Sequence, residues 1–427
     1  MSGKIFYLLS TQAYFLIVKL FAPFNKRAQM LYNGQKGLLK KFEDFAKGNT
    51  KKSIWFHVAS LGEFEQGRPI MEALKKEYPE CKLVVTFFSP SGYESRKNDP
   101  ICEATFYLPF ESKSNAQLVI KSLNPKLAVW IKYDFWFAYL HELKNKNIPL
   151  YLCAAKFRKS QLFFKPFGNF QRQILKQFDF IFCQNEDSKM LLNSIGITNC
   201  SVSGDNRYDR VYQTVQHSEH LPIIEKFKGT DFLLIAGSSY ELEEGFLEFA
   251  FLKFNKSFKI IFAPHFVEAK QVHSIEARFT NECIKYSECT IETNFTNKKV
   301  LIIDSIGLLS KAYRYGDAAF IGGGFQENGL HNTLEAATFG MPICFGPKIK
   351  RFPEAAELIR EDVASIVHNK TELAIWITKF LDDKNYQKNI AQKSREFIAR
   401  NIGATEKVVK YIITSSTSSP AQHPDNF

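Results

Sequence analysis

The sequence lacks the cysteine pattern of a disulfide-bonded scaffold or of a zinc site. Its eight cysteines are scattered mostly within apolar runs, without a Cys-x-x-Cys pair and without a histidine at ligand spacing. Cysteines placed in this way are typical of small buried hydrophobes in a reducing compartment. The cysteines therefore predict no disulfide and no bound metal. No cofactor is predicted either.

Two phosphate-binding signatures are also missing. The chain has neither the Walker pattern nor the spaced Gly-x-Gly-x-x-Gly fingerprint, and it has no internal repeat of solenoid length. These absences give little support to a kinase or to a hydride-transferring enzyme. A net charge of +12 is not accompanied by a groove-reading helix or a base-stacking module, so no nucleic-acid partner is predicted.

What the chain does have is a concentration of basic charge at its start. Residues 1–52 contain ten Lys and Arg residues against two acidic ones, and they include the most apolar run, Ile5–Val18. Its fourteen residues are short for crossing ~30 Å of hydrocarbon, although about twenty suffice if Lys19 snorkels to the headgroups. An apolar run followed by basic residues predicts a membrane anchor on the cytoplasmic side. The alternative is a buried core helix.

After Ser53, short apolar runs alternate with turns and helix-like segments in two series. The first series begins at Ile54–Val58 and the second at Phe232–Ala236. Such alternation builds mostly parallel sheets, which bind ligands at the carboxyl ends of their strands. We therefore predict an α/β chain with two Rossmann-like domains facing a cleft. The predicted segments are a membrane anchor (1–25), an N-terminal domain (26–204), a linker (205–230), a C-terminal domain (231–395), a C-terminal helix packing back on the N-terminal domain (396–413) and a disordered tail (414–427).

A glycine-rich turn follows the strand predicted over Asp317–Ile321. Backbone N–H groups and the positive end of a helix dipole meet at such a turn and attract a phosphate. The alternative is a tight turn without a ligand. The residues of interest in the turn and the helix start after it are Gly322, Gly323, Gly324, His331, Asn332 and Glu335.

Glu63 occupies a comparable strand-to-helix turn in the first series. A carboxylate beside helix N–H groups is stabilised as the anion, which suits a general base. The alternative is an ordinary acidic residue at a helix start, and Glu65 is the next candidate.

Three polar side chains follow strands of the second series. Ser238 and Ser239 open a predicted helix, where they could bind phosphate or simply cap the helix. His265 comes directly after the strand predicted over Lys259–Ala263, and its position makes a functional role as plausible as a structural one.

A basic and aromatic segment spans Ala154–Gly168 and contains Lys156 and Arg158. Such a segment can lie on a membrane surface or contact a phosphorylated, lipid-bearing acceptor.

These motifs resemble those of the Kdo transferases, membrane-associated glycosyltransferases that move 3-deoxy-D-manno-octulosonic acid (Kdo) from CMP-Kdo onto lipid A precursor. The similarity covers nearly the whole chain, as far as about Tyr411. Its most specific parts are His57–Glu63, Gly67–Pro69, Gly322–Ala337, Gly340–Pro342 and Gly346–Pro347.

The resemblance implies the GT-B arrangement of two Rossmann-like domains, no metal, inversion at the anomeric centre, and a place at the inner membrane. It implies that Glu63 is the catalytic base and that Glu335 lies near the ribose. The residues predicted to bind CMP-Kdo are Ser238, Ser239, His265, Gly322, Gly323, Gly324, His331, Asn332 and Glu335. The residues predicted to contact the acceptor are Ser60, Gly62, Arg68, Lys156 and Arg158.

Two stretches depart from the family pattern. Pro264–Glu268 stands where many members have Arg-His-Pro-Glu-Arg, and Lys132–Ala138 stands where they have Glu-x-Glu-aromatic-Trp-Pro-Asn. The sequence therefore does not identify which side chains contact the phosphate and the acceptor in these two stretches. Two other functions also stay open: a different membrane-associated sugar-nucleotide transferase or epimerase, and a nucleotide-binding membrane protein without catalysis.

Overall fold

The computed structural model describes residues 2–216, 219–254, 258–327 and 329–417, which form two compact units. The first unit contains the residues up to Arg210 and those from Ile402 onward, and the second runs from Val211 to Asn401. Each unit is built on one seven-stranded parallel sheet. The predicted α/β class with two Rossmann-like sheets is confirmed.

The sheet of the first unit has the strand order β3-β2-β1-β4-β5-β6-β7. Every residue of the interior strand β1 is buried, as expected for an apolar run that helices cover on both faces. The strands are β1 (Ser53–Val58), β2 (Lys82–Phe87), β3 (Ala104–Tyr107), β4 (Pro125–Ile131), β5 (Leu150–Ala155), β6 (Phe180–Cys183) and β7 (Cys200–Val202). The helices are α1 (Ser2–Phe21), α2 (Lys26–Gln35), α3 (Leu38–Lys47), α4 (Leu61–Glu77), α5 (Pro90–Arg96), α6 (Lys113–Leu123), α7 (Phe137–Asn145), α8 (Asn169–Leu175), α9 (Glu186–Asn193) and α10 (Asn206–Gln216), with a 3-10 helix at Leu162–Phe164.

The sheet of the second unit has the order β10-β11-β9-β8-β12-β13-β14. Its strands are β8 (Leu233–Ser239), β9 (Lys259–Pro264), β10 (Cys283–Lys285), β11 (Val300–Ile302), β12 (Ala318–Ile321), β13 (Ile343–Phe345) and β14 (Ala364–Ile366). Its helices are α11 (Pro222–Lys228), α12 (Glu241–Lys253), α13 (Ala269–Phe279), α14 (Leu309–Ala312), α15 (Leu334–Thr338), α16 (Pro353–Arg360), α17 (Lys370–Asp382) and α18 (Lys384–Asn401), with 3-10 helices at Thr280–Glu282, Tyr286–Glu288 and Tyr313–Tyr315.

The last helix, α19 (Ala404–Thr417), returns to the first unit and packs on α4. Its Val408 and Ile412 are fully buried in an apolar cluster that includes Leu74. The start of the helix is held by Asp209, whose carboxylate accepts hydrogen bonds from the N–H groups of Gly403 and Thr405, both at 2.6 Å. The carboxylate thereby caps two of the N–H groups that a helix start leaves unpaired.

The segment boundaries differ from the prediction in three places. The expected linker, 205–230, contains α10 and α11, and the division between the units falls within α10. The single helix expected over 396–413 is two helices, because the chain turns at Gly403 with a positive φ of 101°. The last helix continues to Thr417, past the expected start of a disordered tail at 414, and residues 418–427 lie outside the described part of the chain.

Helix α1 touches the first unit along one narrow stripe. Phe15 and Val18 lie on this stripe, and the ring of Phe15 stacks on Phe110 with 4.1 Å between centroids. The Tyr7 hydroxyl donates a hydrogen bond to Glu111 Oε2 at 2.7 Å. The opposite side is exposed and apolar over Ile5, Phe6, Leu9, Leu16, Ile17 and Leu20. Gly3–Phe21 is long and apolar enough to cross a membrane, and so little of it is buried that it is not a core helix.

Candidate active site

Glu63 lies where strand β1 of the first sheet passes into a helix. Ser60 is the N-cap residue of α4, and Glu63 is its third helical residue. The half-buried carboxylate turns back and accepts a hydrogen bond from the Ala59 N–H at 2.5 Å. This is the position from which an acidic side chain commonly satisfies N–H groups at a helix start.

Burial raises the pKa of Glu63 above its ordinary value, although the Ala59 N–H and the charge of Lys132 act in the opposite direction. The sequence predicted the reverse, because helix N–H groups favour the anion. The prediction was wrong in sign because desolvation of the carboxylate outweighs one hydrogen bond. A raised pKa makes the ionised form a stronger base, so the chemical role predicted for Glu63 remains possible.

A buried histidine and a second carboxylate lie beside Glu63. His57, fully buried in β1, has Nδ1 2.9 Å from Thr86 Oγ1 and Nε2 3.0 Å from Asp134 Oδ2. Both His57 and Asp134 act electrostatically on Glu63. Sequence reasoning treated Asp134 only as a departure from the family pattern, although its place directly after β4 could have marked it.

Tyr133 links the segment that contains Lys156 and Arg158 to the surroundings of Glu63. The Tyr133 hydroxyl donates to the Lys156 carbonyl oxygen. Burial raises the pKa of Tyr133 to about 12, with Arg158 lowering it and Glu63 raising it. The structure therefore brings two predicted acceptor residues into the surroundings of the predicted base.

Arg68 is engaged within the unit itself. Its guanidinium donates to Glu72 Oε1 at 2.9 Å and to Asp99 Oδ2 at 2.7 Å. Arg68, which the resemblance predicts to contact the acceptor, thus has two acidic partners within the unit. Gly62 is exposed, and a Cβ added there would meet no atom within 4 Å, while Ser60 is half-buried beside it. Both of these predicted acceptor residues lie beside Glu63 at the start of α4.

The glycine-rich turn of the second unit already holds a carboxylate of the chain. Gly323 N donates to Glu243 Oε1 at 2.9 Å, Tyr240 N donates to Glu243 Oε2 at 3.0 Å, and the Phe325 N–H bonds to the same group. Gly322 N donates to the Gly237 carbonyl oxygen. The N–H groups of Gly322 and Gly323 thus have partners within the chain, contrary to the prediction that this turn presents them to a phosphate. The helix after it, α15, has five residues.

These glycines instead allow three loops to approach closely. A Cβ on Gly322 would come within 2.1 Å of the Ser238 carbonyl oxygen, and one on Gly324 within 2.4 Å of Gly346 N. The end of β8 and the turns after β12 and β13 therefore meet backbone to backbone, as glycine permits.

Glu243 is a residue that the sequence reasoning missed. It is fully buried, and burial raises its pKa to about 7 in spite of the N–H groups that it accepts. Its acidic neighbour Glu244 accepts from the Ser239 hydroxyl at 3.1 Å, so Ser239 faces the interior of the unit. Glu243 is the third residue of α12, which is a recognised capping position. Its contact with Gly323, 80 residues away, could not be predicted from the sequence.

Three aromatic side chains stack beside the turn. The rings of Tyr240, His265 and His331 form a triangle, with 5.0 Å between the centroids of Tyr240 and His265, 4.5 Å between those of His265 and His331, and 5.8 Å between those of Tyr240 and His331. Tyr240 Oη is 3.1 Å from His331 Nε2. Burial and the neighbouring His265 lower the pKa of His331 to about 4, and burial lowers that of His265. Both imidazoles are therefore neutral at pH 7 and suit stacking or hydrogen bonding better than binding an anion.

The other residues predicted to bind CMP-Kdo belong to the same unit. Ser238 has a left-handed backbone with φ 55°, a strained conformation that occurs often at functional sites. Asn332 Nδ2 donates to Glu335 Oε1 at 2.9 Å, and Asn332 Oδ1 accepts from Leu334 N. Within the described ranges, no group of three or more His, Cys, Asp or Glu side chains is arranged to hold a metal ion.

Two solved structures share the architecture of this chain. UDP-GlcNAc 2-epimerase from Neisseria meningitidis matches with a TM-score of 0.58 and 16% identity, covering 85% of this chain and 100% of the other. Acinetobacter baumannii MurG matches with a TM-score of 0.54 and 14% identity, covering 85% and 99%. At such identities the likeness establishes the fold, which is of the GT-B type.

The sequence comparisons agree on one family of relatives. Residues 36–210 match the family model described as 3-deoxy-D-manno-octulosonic-acid transferase (kdotransferase). The 3-deoxy-D-manno-octulosonic acid transferase of Chlamydophila psittaci is 26% identical over 352 residues, covering 81% of each chain. The enzyme of that name from Aquifex aeolicus is 26% identical over 363 residues, covering 82% of this chain and 91% of its own. The resemblance seen in the motifs is therefore confirmed: residues 36–210 match the Kdo transferase model, and the chain is similar to named Kdo transferases over 81–82% of its length.

Proposed function

We propose that this protein is an inverting, metal-independent glycosyltransferase that moves Kdo from CMP-Kdo to a lipid A precursor. The observation that carries the proposal is the half-buried Glu63 carboxylate at the end of β1, in a chain whose relatives are named for Kdo transfer. A carboxylate placed there with a raised pKa can remove a proton from a sugar hydroxyl.

In the first unit, Glu63 takes the proton of the acceptor hydroxyl as that oxygen attacks the Kdo anomeric carbon. Lys132 favours the ionised carboxylate, and the Ala59 N–H fixes its orientation. Lys156 and Arg158 supply positive charge for the acceptor's phosphates on the same side of the sheet.

In the second unit, the neutral stack of Tyr240, His265 and His331 offers flat surfaces and polar edges to the nucleoside of the donor. CMP leaves as a phosphate monoester, and its growing charge needs donors or cations. Glu243 already accepts hydrogen bonds from N–H groups of the glycine turn. We therefore propose that the basic segment after β13 stabilises the negative charge that grows on the CMP phosphate. Lys348 N donates to the Gly324 carbonyl oxygen at 2.8 Å, and Lys350 and Arg351 follow it, exposed.

His331→Ala is expected to weaken CMP binding about tenfold or more, since a stacked ring contributes about 1–3 kcal/mol per base. Tyr240→Phe keeps its ring and should lose less. Calorimetric titration of CMP into each variant measures the effect. His368→Ala, which removes an exposed histidine bonded to Glu372, is the control. Equal CMP affinity in His331→Ala and wild type would contradict the donor assignment.

We further propose that α1 lies in the plane of the cytoplasmic leaflet of an inner membrane. The hydrogen bond of Tyr7 to Glu111 and the packing of Phe15 tie the buried stripe of the helix to the first unit. Its opposite side remains available for the acyl boundary, where amphipathic helices insert.

Substituting Leu9, Leu16 and Leu20 together by Gln is expected to lower partition onto anionic vesicles by more than tenfold. Each exposed Leu contributes about 1.5–3 kcal/mol when buried in an apolar phase. Co-sedimentation with vesicles measures the loss. Glutamines at Leu242, Leu252 and Ile306, which are exposed on the second unit, are the matched control. Deleting residues 1–24 would also expose the Phe110 ring, on which Phe15 stacks, so the substitutions test membrane binding with less disturbance of the first unit.

The function is tested by mass spectrometry of the product formed from CMP-Kdo and a lipid A precursor. We expect the acceptor mass to increase by one or more Kdo units. Use of UDP-sugars with CMP-Kdo ignored would instead favour an epimerase or another transferase, consistent with the solved structures that share the fold. CMP binding without turnover would favour a non-catalytic protein.

A further inference from the structure

A cavity of about 400 Å³ lies in the first unit, away from the residues discussed above. Its walls come from α2, α3, α5 and β3, and they include Met30, Leu38, Tyr93, Phe106 and Tyr107. Cavities of this size that combine apolar walls with a few polar groups are typical of small-ligand sites.

The interior of the cavity contains a polar group without a partner. Tyr107 is 4% exposed, and its hydroxyl has no hydrogen-bond partner within the part of the chain that the structure describes. Its ring lies 4.1 Å from that of Tyr93, and a Cβ on Gly34 would come within 2.5 Å of it. Glycine at position 34 therefore leaves room for the Tyr107 ring in the wall of the cavity, and the buried hydroxyl is a polar group still to be satisfied.

Positive charge surrounds this interior. Lys41 and Lys97 belong to the wall, and the one acidic lining residue, Glu94, pairs with Lys97 at 2.5 Å. Lys40 neighbours Lys41 on α3, and Lys36 lies between α2 and α3. A wall that combines aromatic and aliphatic side chains with Lys41, Asn33 and the Lys97–Glu94 pair is complementary to an amphiphile with an anionic head.

The wall of the cavity is continuous with the turn that positions Glu63. Helix α5 contributes Tyr93, and its Gly92 is so close to that turn that an added Cβ would come within 2.9 Å of Leu61 N and 3.0 Å of the Ser60 carbonyl carbon. Tyr107 is the last residue of β3, so the cavity opens near the carboxyl ends of the strands. A chain held there lies on the same side of the sheet as the predicted base.

We propose that this cavity is a subsite for one hydrocarbon chain of an anionic acyl lipid. The Tyr107 hydroxyl donates to a carbonyl oxygen of the acyl linkage, and Lys41 and Lys97 face the anionic head. Two sources share this chemistry: the acceptor of the transfer reaction and a phospholipid of the surrounding membrane. The acceptor assignment rests on the proposed function, whereas the lipid subsite does not.

Binding of dodecyl phosphate to the full chain in maltoside detergent, measured by calorimetry, tests the subsite. We expect binding that weakens at least tenfold in Lys41→Glu and in Met30→Trp, which fills the cavity. Lys76→Glu, a reversal at an exposed position of α4 that does not line the cavity, should leave binding unchanged. Equal binding in wild type and in both cavity variants overturns the proposal, and so does inorganic phosphate binding as tightly as dodecyl phosphate.

Tyr107→Phe separates a ligand-binding hydroxyl from a structural one. Because the hydroxyl lacks a partner in the folded unit, its removal should leave the thermal midpoint unchanged or raised while weakening dodecyl phosphate binding several-fold. A lowered midpoint with unchanged binding assigns the hydroxyl to the fold and counts against the subsite.

Transfer kinetics then distinguish the two sources. If the acceptor occupies the cavity, Lys41→Glu raises KM for the acylated acceptor and leaves KM for its deacylated sugar unchanged. If both KM values stay the same while dodecyl phosphate binding is lost, the occupant is a membrane phospholipid. Absence of any transfer by the wild type refutes the proposed function, and the lipid subsite is then judged by the binding data alone.

Discussion

Glu63→Gln is expected to lower kcat for Kdo transfer by about 10²–10⁴-fold, the usual contribution of a general base. The amide keeps an oxygen for the Ala59 N–H, so the start of α4 should fold unchanged. CMP affinity should also be unchanged, because the predicted donor residues belong to the second unit. Steady-state kinetics together with a CMP titration separate these two quantities.

Glu77→Gln, at the exposed end of the same helix, is the matched control and should retain wild-type kcat. The wild-type rate should also fall on the acid side, with a midpoint above the ordinary carboxyl value of 4.5, because burial raises the pKa of Glu63 and the base must be ionised to act. Glu63→Gln with a kcat within threefold of wild type would assign the proton transfer to another group, with Asp134 as the first to examine.

Glu243→Gln is expected to remove a pH dependence of stability of roughly 3 kcal/mol between pH 4.5 and pH 8. The folded carboxyl has a pKa of about 7 against an ordinary value of 4.5, so over this interval the folded chain binds more protons than the unfolded chain. Stability from this group is therefore complete below pH 4.5 and is lost as the pH rises through 7. The glutamine variant cannot titrate and should not show this loss.

Thermal unfolding at pH 5 and pH 8 measures the difference. The wild-type midpoint should fall further than that of Glu243→Gln over this range. Glu248→Gln, on the same helix, replaces a carboxylate that pairs with Arg278 at 2.9 Å and serves as control. Parallel pH profiles for wild type and Glu243→Gln would mean that the carboxyl titrates alike in the folded and unfolded chains.

The parts of the fold that local sequence determines were predictable. Strands such as β1 and β8 are continuous apolar runs followed by turn residues, and both sheets follow from their alternation with helices. The strands β10 and β14 are three residues long, which is too short for a periodic pattern to be recognised. Similarly, residues 205–230 have the polarity of a linker, yet tertiary packing makes much of the segment helical.

In the candidate site, positions at strand ends were predictable and contacts were not. Glu63 and His331 could be found because each follows a strand and a glycine turn. The sequence could not show that Glu243 accepts hydrogen bonds from the N–H groups of the turn. Glu243 comes from another strand-to-helix connection, and every residue type except proline has the same backbone N–H. The same limit applies to Arg68, whose partner Asp99 is 31 residues away. Burial, which decides the direction of the Glu63 pKa shift, is likewise a property of the assembled unit.

The return of α19 to the first unit affects how the protein can be divided for study. Residues 36–210, which match the family model, leave out Val408 and Ile412, whose side chains cover the apolar surface of α4. A fragment ending at Arg210 would expose that surface to water and would lose the Asp209 contacts to Gly403 and Thr405. We therefore expect a soluble first unit to require the C-terminal helix, either supplied as a separate peptide or joined after Arg210 by a short linker.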